Sequence, residues 1–253
     1  MKIQPLNIFQ TNIATFNISD EPAFHYLVDL NNRMPDEISD DDNTTNSLGN
    51  TSSYKAYQRS IKLANSTNPH AYEDEEWANV RKEVQKFLDH LGKLYVEMHH
   101  NMGVSTWVGK RRFDVINLWI VRYMEGDYQA WHTHPGSALS AVLFLEVPDG
   151  INPKTFPDGM LHLLSNGIYD EQTLEINKSY YIKPEPGLVV MFPSSIGHLA
   201  YPFTGPGRRT AMSFNLDDDP MMSGAKLDRD TGKYLFSGPN NKVYELTEYL
   251  GDK

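Results

Sequence analysis

The sequence predicts an α+β protein in which two helices support an antiparallel, mainly β barrel. Over residues 74–100 apolar side chains recur at three- and four-residue steps, as on one face of a long helix. After Gly103 this pattern gives way to short apolar runs separated by Gly, Pro, Asp and Asn turns, which indicates several strands. Helices followed by a run of strands favour separate helical and sheet layers over alternating β–α units.

The composition favours one globular domain with a polar tail. A length of 253 residues, with 40% hydrophobic and 22% charged residues, suffices for a single core, which we expect over residues 1–216, followed by an extension over 217–253. The formal net charge of −10 would repel phosphates, so general nucleic-acid binding is not expected. No segment resembles a bilayer span or a secretory signal, and cysteine is absent, so we expect a cytoplasmic protein without a membrane partner.

The N-terminal region is predicted to supply edge strands and one helix. Residues 3–18 alternate loosely and are rich in Ile, Phe and Thr, which is typical of one or two edge strands. Ser19 is the predicted N-cap of a helix over about 19–34 that ends near Pro35. Residues 36–53 are acidic and polar, and we interpret them as a solvated loop, with a lid over a substrate as the alternative.

The second predicted helix, over residues 74–100, should pack its apolar stripe on the back of the sheet rather than bind a cofactor. The basic cluster at 110–112 is interpreted as a solvated turn. The stripe consists of Trp77, Val80, Val84, Phe87, Leu91, Leu94 and Met98.

The barrel core is predicted over residues 113–216. The extension beyond it carries a hairpin signal at 228–236. The five strand predictions within the core cover residues 113–124, 137–147, 178–184, 187–193 and 208–216.

Three histidines form a candidate metal site. His132 and His134 are two residues apart, so in an extended strand they share a face with Cα atoms about 6.6 Å apart, near enough to hold one metal ion. His198, which follows the apolar run at 187–193, is the best candidate for a third ligand. Imidazole suits Fe(II), and three protein ligands leave open positions for a chelating cosubstrate and dioxygen.

An arginine about one strand after His198 could hold the far carboxylate of such a cosubstrate, because a guanidinium matches a carboxylate with two donors. Strand alternation distinguishes the two candidates. Arg209 shares its face with small or polar residues, whereas Arg208 shares its face with large apolar ones and should lie at the strand start, near solvent. Arg209 is therefore the predicted clamp. The residues that share its face are Ala211, Ser213 and Asn215.

Three stretches resemble the 2-oxoglutarate and Fe(II)-dependent dioxygenases, and among them a group of oxygenases from bacteria and phages with a His-x-His-Pro motif. They are GDYQAWHTHPGSALSAVLFLEVP, PGLVVMFPSSIGHLAYPF and RRTAMSFNL. The resemblance implies a double-stranded β-helix, or cupin-like jelly roll, backed by N-terminal helices. It also implies hydroxylation of an acceptor, a small molecule or a peptide, as 2-oxoglutarate is decarboxylated to succinate. Iron would be held by His132, His134 and His198, and 2-oxoglutarate by Arg209.

The chain departs from the wider superfamily at two positions. His134 occupies the position of the usual carboxylate, so either three histidines hold the metal or a carboxylate elsewhere completes the site. Ala211 replaces a serine that often accompanies the arginine, and Ser213 could substitute for it. Along the neighbouring strand, Tyr123 and Asn117 share a face that could reach the cavity.

Trp131 and Thr133, which are next to the histidines in the sequence, are not predicted to be metal ligands. Trp131 and Thr133 should point away from the ligands and act as packing or rim residues.

Two other functions stay open at this point. A cupin-like metalloenzyme also uses histidines in a jelly roll but has no need of a buried arginine. A non-enzymatic jelly-roll protein could keep the fold without the metal.

Overall fold

The computed structural model describes residues 13–35, 57–64, 66, 68–101, 113–149, 151, 155–164, 179–218, 226–228, 233–237 and 243–245. The predicted loop at 36–53 and the basic cluster at 110–112 lie outside these residues. Two helices and thirteen strands are assigned within the described part of the chain. In order they are β1 (Ala14–Asn17), α1 (Pro22–Arg33), β2 (Tyr57–Ser60), α2 (Glu75–Asn101), β3 (Phe113–Tyr123), β4 (Gln129–His132), β5 (Leu139–Glu146), β6 (Leu161–Leu164), β7 (Ser179–Ile182), β8 (Leu188–Pro193), β9 (Gly197–Ala200), β10 (Arg209–Asp218), β11 (Lys226–Asp228), β12 (Lys233–Ser237) and β13 (Val243–Glu245).

Two antiparallel sheets form the barrel, as predicted. The major sheet has the order β1-β8-β5-β10-β3-β2, and the minor sheet has the order β4-β9-β6-β7. An apolar cluster joins them, with Val142, Phe192 and Ala211 from the major sheet and Leu161 and Ile182 from the minor one. The shared core shows that the two sheets pack face to face.

The other face of the major sheet packs on the helices. A second apolar cluster unites α1 and α2 with outward-facing residues of five strands, including Met212, Phe214 and Leu216 of β10. The predicted alternation of β10 is therefore observed, because these three side chains point to the helices. Arg209 and Ala211 point instead to the space between the sheets.

The predicted cap of α1 is wrong. Glu21 occupies the N-cap position and makes no side-chain cap hydrogen bond. Ser19 instead donates its backbone N–H and its hydroxyl to Asn17 Oδ1, at 3.0 and 2.8 Å. These bonds hold Ser19 in the turn after β1, so the helix begins only at Pro22, whose fixed φ suits the first helical position. The end of α1 at Arg33 agrees with the predicted stop near Pro35.

The second helix begins where the pattern predicts, and Asp74 caps it. The Trp77 backbone N–H donates to Asp74 Oδ1 at 2.7 Å, and Arg33 Nε donates to Asp74 Oδ2 at 2.9 Å, which ties α2 to α1. The predicted stripe packs on the sheet, but the buried face also includes Leu88 and Tyr95. The helix face against the sheet is therefore wider than the predicted stripe.

The five predicted strands of the core correspond to β3, β5, β7, β8 and β10. The predicted hairpin at 228–236 is confirmed by the antiparallel pairing of β11 with β12, and β13 extends that sheet. The boundary at residue 216 stays a prediction. No helix among the described residues is long and apolar enough to cross a membrane.

Candidate active site

Two of the three histidines face each other across the minor sheet. His132 is the last residue of β4 and is the Cα partner of His198 in β9. His134 does not lie in the strand, so the expectation of two histidines on one extended strand is wrong. The register shifts between Gln129 and His132, the strand then ends, and the His134 backbone N–H donates to the Ser194 carbonyl at 3.0 Å. This turn places the His134 ring beside the other two.

The three imidazoles converge to within one metal-sized site. Their candidate ligand atoms all lie within 4.8 Å of one another, and Nε2 of His134 is 3.2 Å from Nε2 of His198. Nδ1 of His132 lies 2.8 Å from the Ala130 carbonyl, and Nδ1 of His198 lies 3.1 Å from the Ile196 carbonyl. Because a carbonyl oxygen only accepts, each Nδ1 is the donor, which leaves the Nε2 lone pair for a metal.

The histidines are suited to bind a metal near neutral pH. Burial lowers the pKa of His134 to about 4, with the charge of nearby His132 adding to the effect. Burial also lowers the pKa of His198 and outweighs the backbone hydrogen bonds that raise the pKa of His132. The rings are therefore neutral at pH 7 and ligate without releasing a proton. This donor set fits Fe(II), and none of the described residues lining the cavity is Asp or Glu.

The histidines line a cavity of about 770 Å³ between the sheets. Residues on the inner face of β3, β5 and β10 lie side by side as Cα partners and form four rows across the major sheet, and all of them except Ser140 line the cavity. From one end of β10 to the other, the rows are Tyr123 with Arg209, then Val121, Ala211 and Phe144, then Trp119, Ser213 and Val142, and finally Asn117, Asn215 and Ser140.

Arg209 lies at the start of β10 and is only 1% exposed. Its Nη1 donates to the carbonyls of Gly159 and Tyr201, at 2.5 and 3.1 Å, and its guanidinium carbon lies 4.3 Å from the centre of the Tyr123 ring. Its Nη2 is buried without a hydrogen-bond partner. A buried donor without a partner is costly, so this nitrogen fits a ligand carboxylate.

Arg208 occupies the position that the alternation predicts for it. It precedes β10, and its Nε donates to Glu146 Oε2 at 2.9 Å on the outside of the barrel. The structure thus separates the two neighbouring arginines. Arg209 lines the cavity, and Arg208 forms a partly exposed ion pair.

Ala211 contributes only apolar surface beside Arg209, and Ser213 lies in the next row, as the Cα partner of Trp119. Trp131 and Thr133 line the same cavity as the histidines, so the expectation that they point away from the ligands is wrong, although a rim position is consistent with this lining. The Trp131 side chain is 54% exposed and lies against Gly197, where an added Cβ would come within 2.2 Å of the indole nitrogen. Gly197 therefore allows the indole to lie on β9.

Some lining residues were not predicted. Trp119 lies with its ring centre 5.4 Å from that of His134, and Gln58 and Gln129 also line the cavity. Trp119 is an even number of residues from Asn117 and Tyr123, so it lies on the same face of β3. The strand period alone could therefore have predicted that Trp119 reaches the cavity. Gln58 had no such signal, because β2 is short and its pairing with β3 is a tertiary contact.

Comparisons with known proteins agree with this geometry. Residues 117–215 match the family model described as "Putative 2OG-Fe(II) oxygenase". A search of curated proteins found no match.

Among solved structures, a prolyl-4-hydroxylase from Pseudomonas putida is similar, at 13% identity over 83% of this chain and 94% of that chain, with a TM-score of 0.50. A 2OG-Fe(II) oxygenase family oxidoreductase from Burkholderia pseudomallei shows 15% identity over 81% and 84% of the two chains, with a TM-score of 0.47. The first likeness supports the jelly-roll fold. Residues 117–215 thus resemble the 2-oxoglutarate and Fe(II)-dependent oxygenases, a family of oxidoreductases that require Fe(II) and 2-oxoglutarate.

Proposed function

We propose that the protein hydroxylates an acceptor with His132, His134 and His198 as the iron ligands and Arg209 as the clamp for 2-oxoglutarate. One dioxygen is consumed for each acceptor C–H bond converted to C–OH, and 2-oxoglutarate leaves as succinate and carbon dioxide. The observation that carries the proposal is the buried, unpartnered Arg209 Nη2 in the same cavity as three converging imidazoles.

The histidines would hold the metal from one side of the cavity. Nδ1 of His132 and of His198 donates to a backbone carbonyl, which orients each ring and leaves Nε2 as the ligand atom. When bound, iron together with 2-oxoglutarate and dioxygen supplies the oxidising chemistry. The three neutral rings leave the charge of the metal uncompensated by protein, so the carboxylates of 2-oxoglutarate would supply the negative charge at this site.

Arg209 would orient 2-oxoglutarate from the opposite end. Its Nη1 is fixed by two backbone carbonyls, so the guanidinium is held in place before the ligand arrives, and Nη2 is left without a protein partner. Burial raises the pKa of Tyr123, so its hydroxyl stays protonated and can donate to the same carboxylate. This second donor would replace the hydroxyl that Ala211 lacks.

The row of Val121, Ala211 and Phe144 would exclude water between the clamp and the metal. Low polarity there strengthens the pairing of Arg209 with a carboxylate. A cupin-like enzyme that does not use 2-oxoglutarate has no role for this arrangement, so the buried arginine favours 2-oxoglutarate as the cosubstrate.

The first test is anaerobic titration of the purified protein with Fe(II) and then 2-oxoglutarate, followed by absorbance and calorimetry. We expect about one Fe(II) per chain, a visible charge-transfer band on adding 2-oxoglutarate, and slow succinate formation once air is admitted. His198→Ala should lose most of the iron, whereas His25→Ala, a change at an exposed histidine of α1, should not. The proposal fails if iron-loaded protein does not bind 2-oxoglutarate.

A further inference from the structure

The row farthest from Arg209 consists of uncharged polar side chains, and we call Asn117, Asn215 and Ser140 the amide row. Asn215 of β10 is the Cα partner of Asn117 in β3 and of Ser140 in β5. The pairing of β10 with β3 shifts register between Asn215 and Leu216, which places a bulge or irregularity next to the two asparagines. Bulges often re-aim side chains beside functional sites.

The amide of Asn215 is held in one orientation. The Ser140 hydroxyl donates to Asn215 Oδ1 at 2.9 Å, and this hydrogen bond is buried. Because that bond engages the carbonyl side of the amide, the two N–H donors on Nδ2 are directed away from Ser140. Asn117, which also lines the cavity, is exposed and offers both a donor and an acceptor. Both asparagines line the cavity, so their amides can offer a donor and an acceptor to a molecule bound there.

The amide row lies on the acceptor side of the candidate metal site. The neighbouring row contains Trp119, whose ring centre is 5.4 Å from that of His134. Arg209 lies on the other side of that row, beyond the apolar row of Ala211. A cosubstrate that joins the metal to Arg209 therefore fills the rows toward Arg209 and leaves the amide row for the molecule that is hydroxylated.

The charges around the cavity restrict that molecule. Of the described lining residues, Arg209 is the only Lys, Arg, Asp or Glu, and it lies at the opposite end of β10 from the amide row. A charged group placed against the amide row would lose hydration without gaining an opposite charge, which is costly. A neutral group with a neighbouring carbonyl and N–H satisfies both asparagines without that cost.

We infer that Asn117 and Asn215 are positioning residues for an uncharged, amide-bearing acceptor, such as a peptide group or a carboxamide. The acceptor carbonyl accepts from Asn215 Nδ2, and the acceptor N–H donates to Asn117 Oδ1. The inference rests on the proposed function, because it takes the rows toward Arg209 as the 2-oxoglutarate site.

The test uses protein loaded with Mn(II) and 2-oxoglutarate, and the probe N-acetyl-alanine N-methylamide. Bound Mn(II) shortens the proton relaxation times of a probe that binds beside it, so NMR reports both affinity and proximity. The parent should relax the methyl protons of this amide strongly and those of the isobutyrate anion only weakly. Asn117→Ala and Asn215→Ala should each weaken the amide effect about three- to ten-fold, as expected for the loss of one neutral hydrogen bond.

Three comparisons separate positioning from a general structural effect. Asn68→Ala, which removes an asparagine from a loop of the helical side, should behave as the parent. Asn117→Gln, which keeps the amide, should recover part of the relaxation. Calorimetry should give the same affinity for 2-oxoglutarate in the parent and in Asn117→Ala, because the exposed Asn117 lies away from the clamp.

The outcomes separate the inference from the proposed function. If the parent relaxes the amide no more than the anion, or if both asparagine variants relax it as the parent does, the inference is overturned and the proposed function stands. If calorimetry detects no binding of 2-oxoglutarate to the metal-loaded parent, both are overturned.

Discussion

Two buried arginines lie on neighbouring strands of the major sheet but face opposite sides of it. Arg122 of β3 is the Cα partner of Thr210, and Arg209 of β10 is the Cα partner of Tyr123. They are 3% and 1% exposed. Arg122 faces the helices, Arg209 faces the cavity, and their hydrogen bonds differ accordingly.

The chain satisfies all three nitrogens of Arg122. Its Nε donates to Asn31 Oδ1 at 3.0 Å, its Nη1 donates to the Pro35 carbonyl at 2.9 Å, and its Nη2 donates to the carbonyls of Asn31 and Met34 at 2.5 and 3.2 Å. These carbonyls belong to the end of α1, where the last turn of a helix leaves its acceptors unpaired. A cation is also favoured there by the helix dipole. Arg122 therefore fastens α1 to the sheet.

Arg209 is just as buried but keeps one nitrogen without a partner. Burying a donor without an acceptor is costly. Such a donor is therefore expected to be kept where a ligand supplies the acceptor. The difference teaches that burial alone does not mark a functional arginine. The proposed role of Arg209 rests instead on a donor that is left without a protein partner in a residue that lines the cavity.

The largest effect in this comparison is expected from Arg122→Met. The substitution leaves buried carbonyls of α1 without donors, so the free energy of unfolding should fall by about 3–5 kcal/mol. Urea denaturation measures this change. The folded fraction should still bind 2-oxoglutarate with the affinity of the parent. A variant as stable as the parent would show that Arg122 does not fasten the helix.

A smaller effect is expected from Arg209→Met, and it concerns the affinity for 2-oxoglutarate rather than stability. Loss of a charged hydrogen-bonded pair costs roughly 1.5–3 kcal/mol, so the Kd for 2-oxoglutarate should rise about ten- to hundred-fold. The free energy of unfolding should change by less than in Arg122→Met, because the substitution also removes an unsatisfied donor. Calorimetry and urea denaturation separate the two properties.

Arg208→Ala is the matched control for Arg209→Met. It removes a neighbouring guanidinium that binds Glu146 outside the cavity, so 2-oxoglutarate affinity should hardly change. If Arg208→Ala weakens 2-oxoglutarate binding more than Arg209→Met does, the assignment of the clamp is wrong.

The smallest effect is expected from Asp74→Asn, on the same side of the sheet as Arg122. Burial alone would raise the pKa of Asp74, but hydrogen bonds from Arg33 and the Trp77 N–H outweigh it and lower the pKa. Asparagine keeps the cap but loses the charge, so unfolding free energy should fall by about 0.5–1.5 kcal/mol at pH 7.

The pH dependence of this effect has a definite sign. Because the pKa is lower in the folded state, the carboxylate contributes its full stability above the unfolded pKa of about 4, and that contribution is lost as the pH falls through the folded pKa. The difference in the free energy of unfolding between the parent and Asp74→Asn, measured by urea denaturation, should therefore become smaller below about pH 4. A difference that stays constant with pH would show that the charge of Asp74 is not involved.

The sequence alone determined the layers and the main residues of the candidate site. Helical and alternating periods are local properties, so they located α2 and the longer strands and assigned Arg209 to the cavity face of β10. The order of His132, His134 and His198 ahead of Arg209 already indicates a resemblance to the 2-oxoglutarate and Fe(II)-dependent oxygenases. The same local pattern misplaced the cap of α1, because Ser19 bonds to Asn17 instead.

Only the tertiary structure decided how these residues meet. Strands β2, β4, β6 and β9 have four residues each, too few for a distinct period, and their neighbours in the sheets define them. The chain leaves β4 after His132, so His134 reaches the site from a turn held by the Ser194 carbonyl. The free nitrogen of Arg209 depends on carbonyls of Gly159 and Tyr201, and the partners of Arg122 lie about ninety positions away in the chain. Hydrogen-bond satisfaction is a property of distant segments brought together, which a local sequence pattern does not encode.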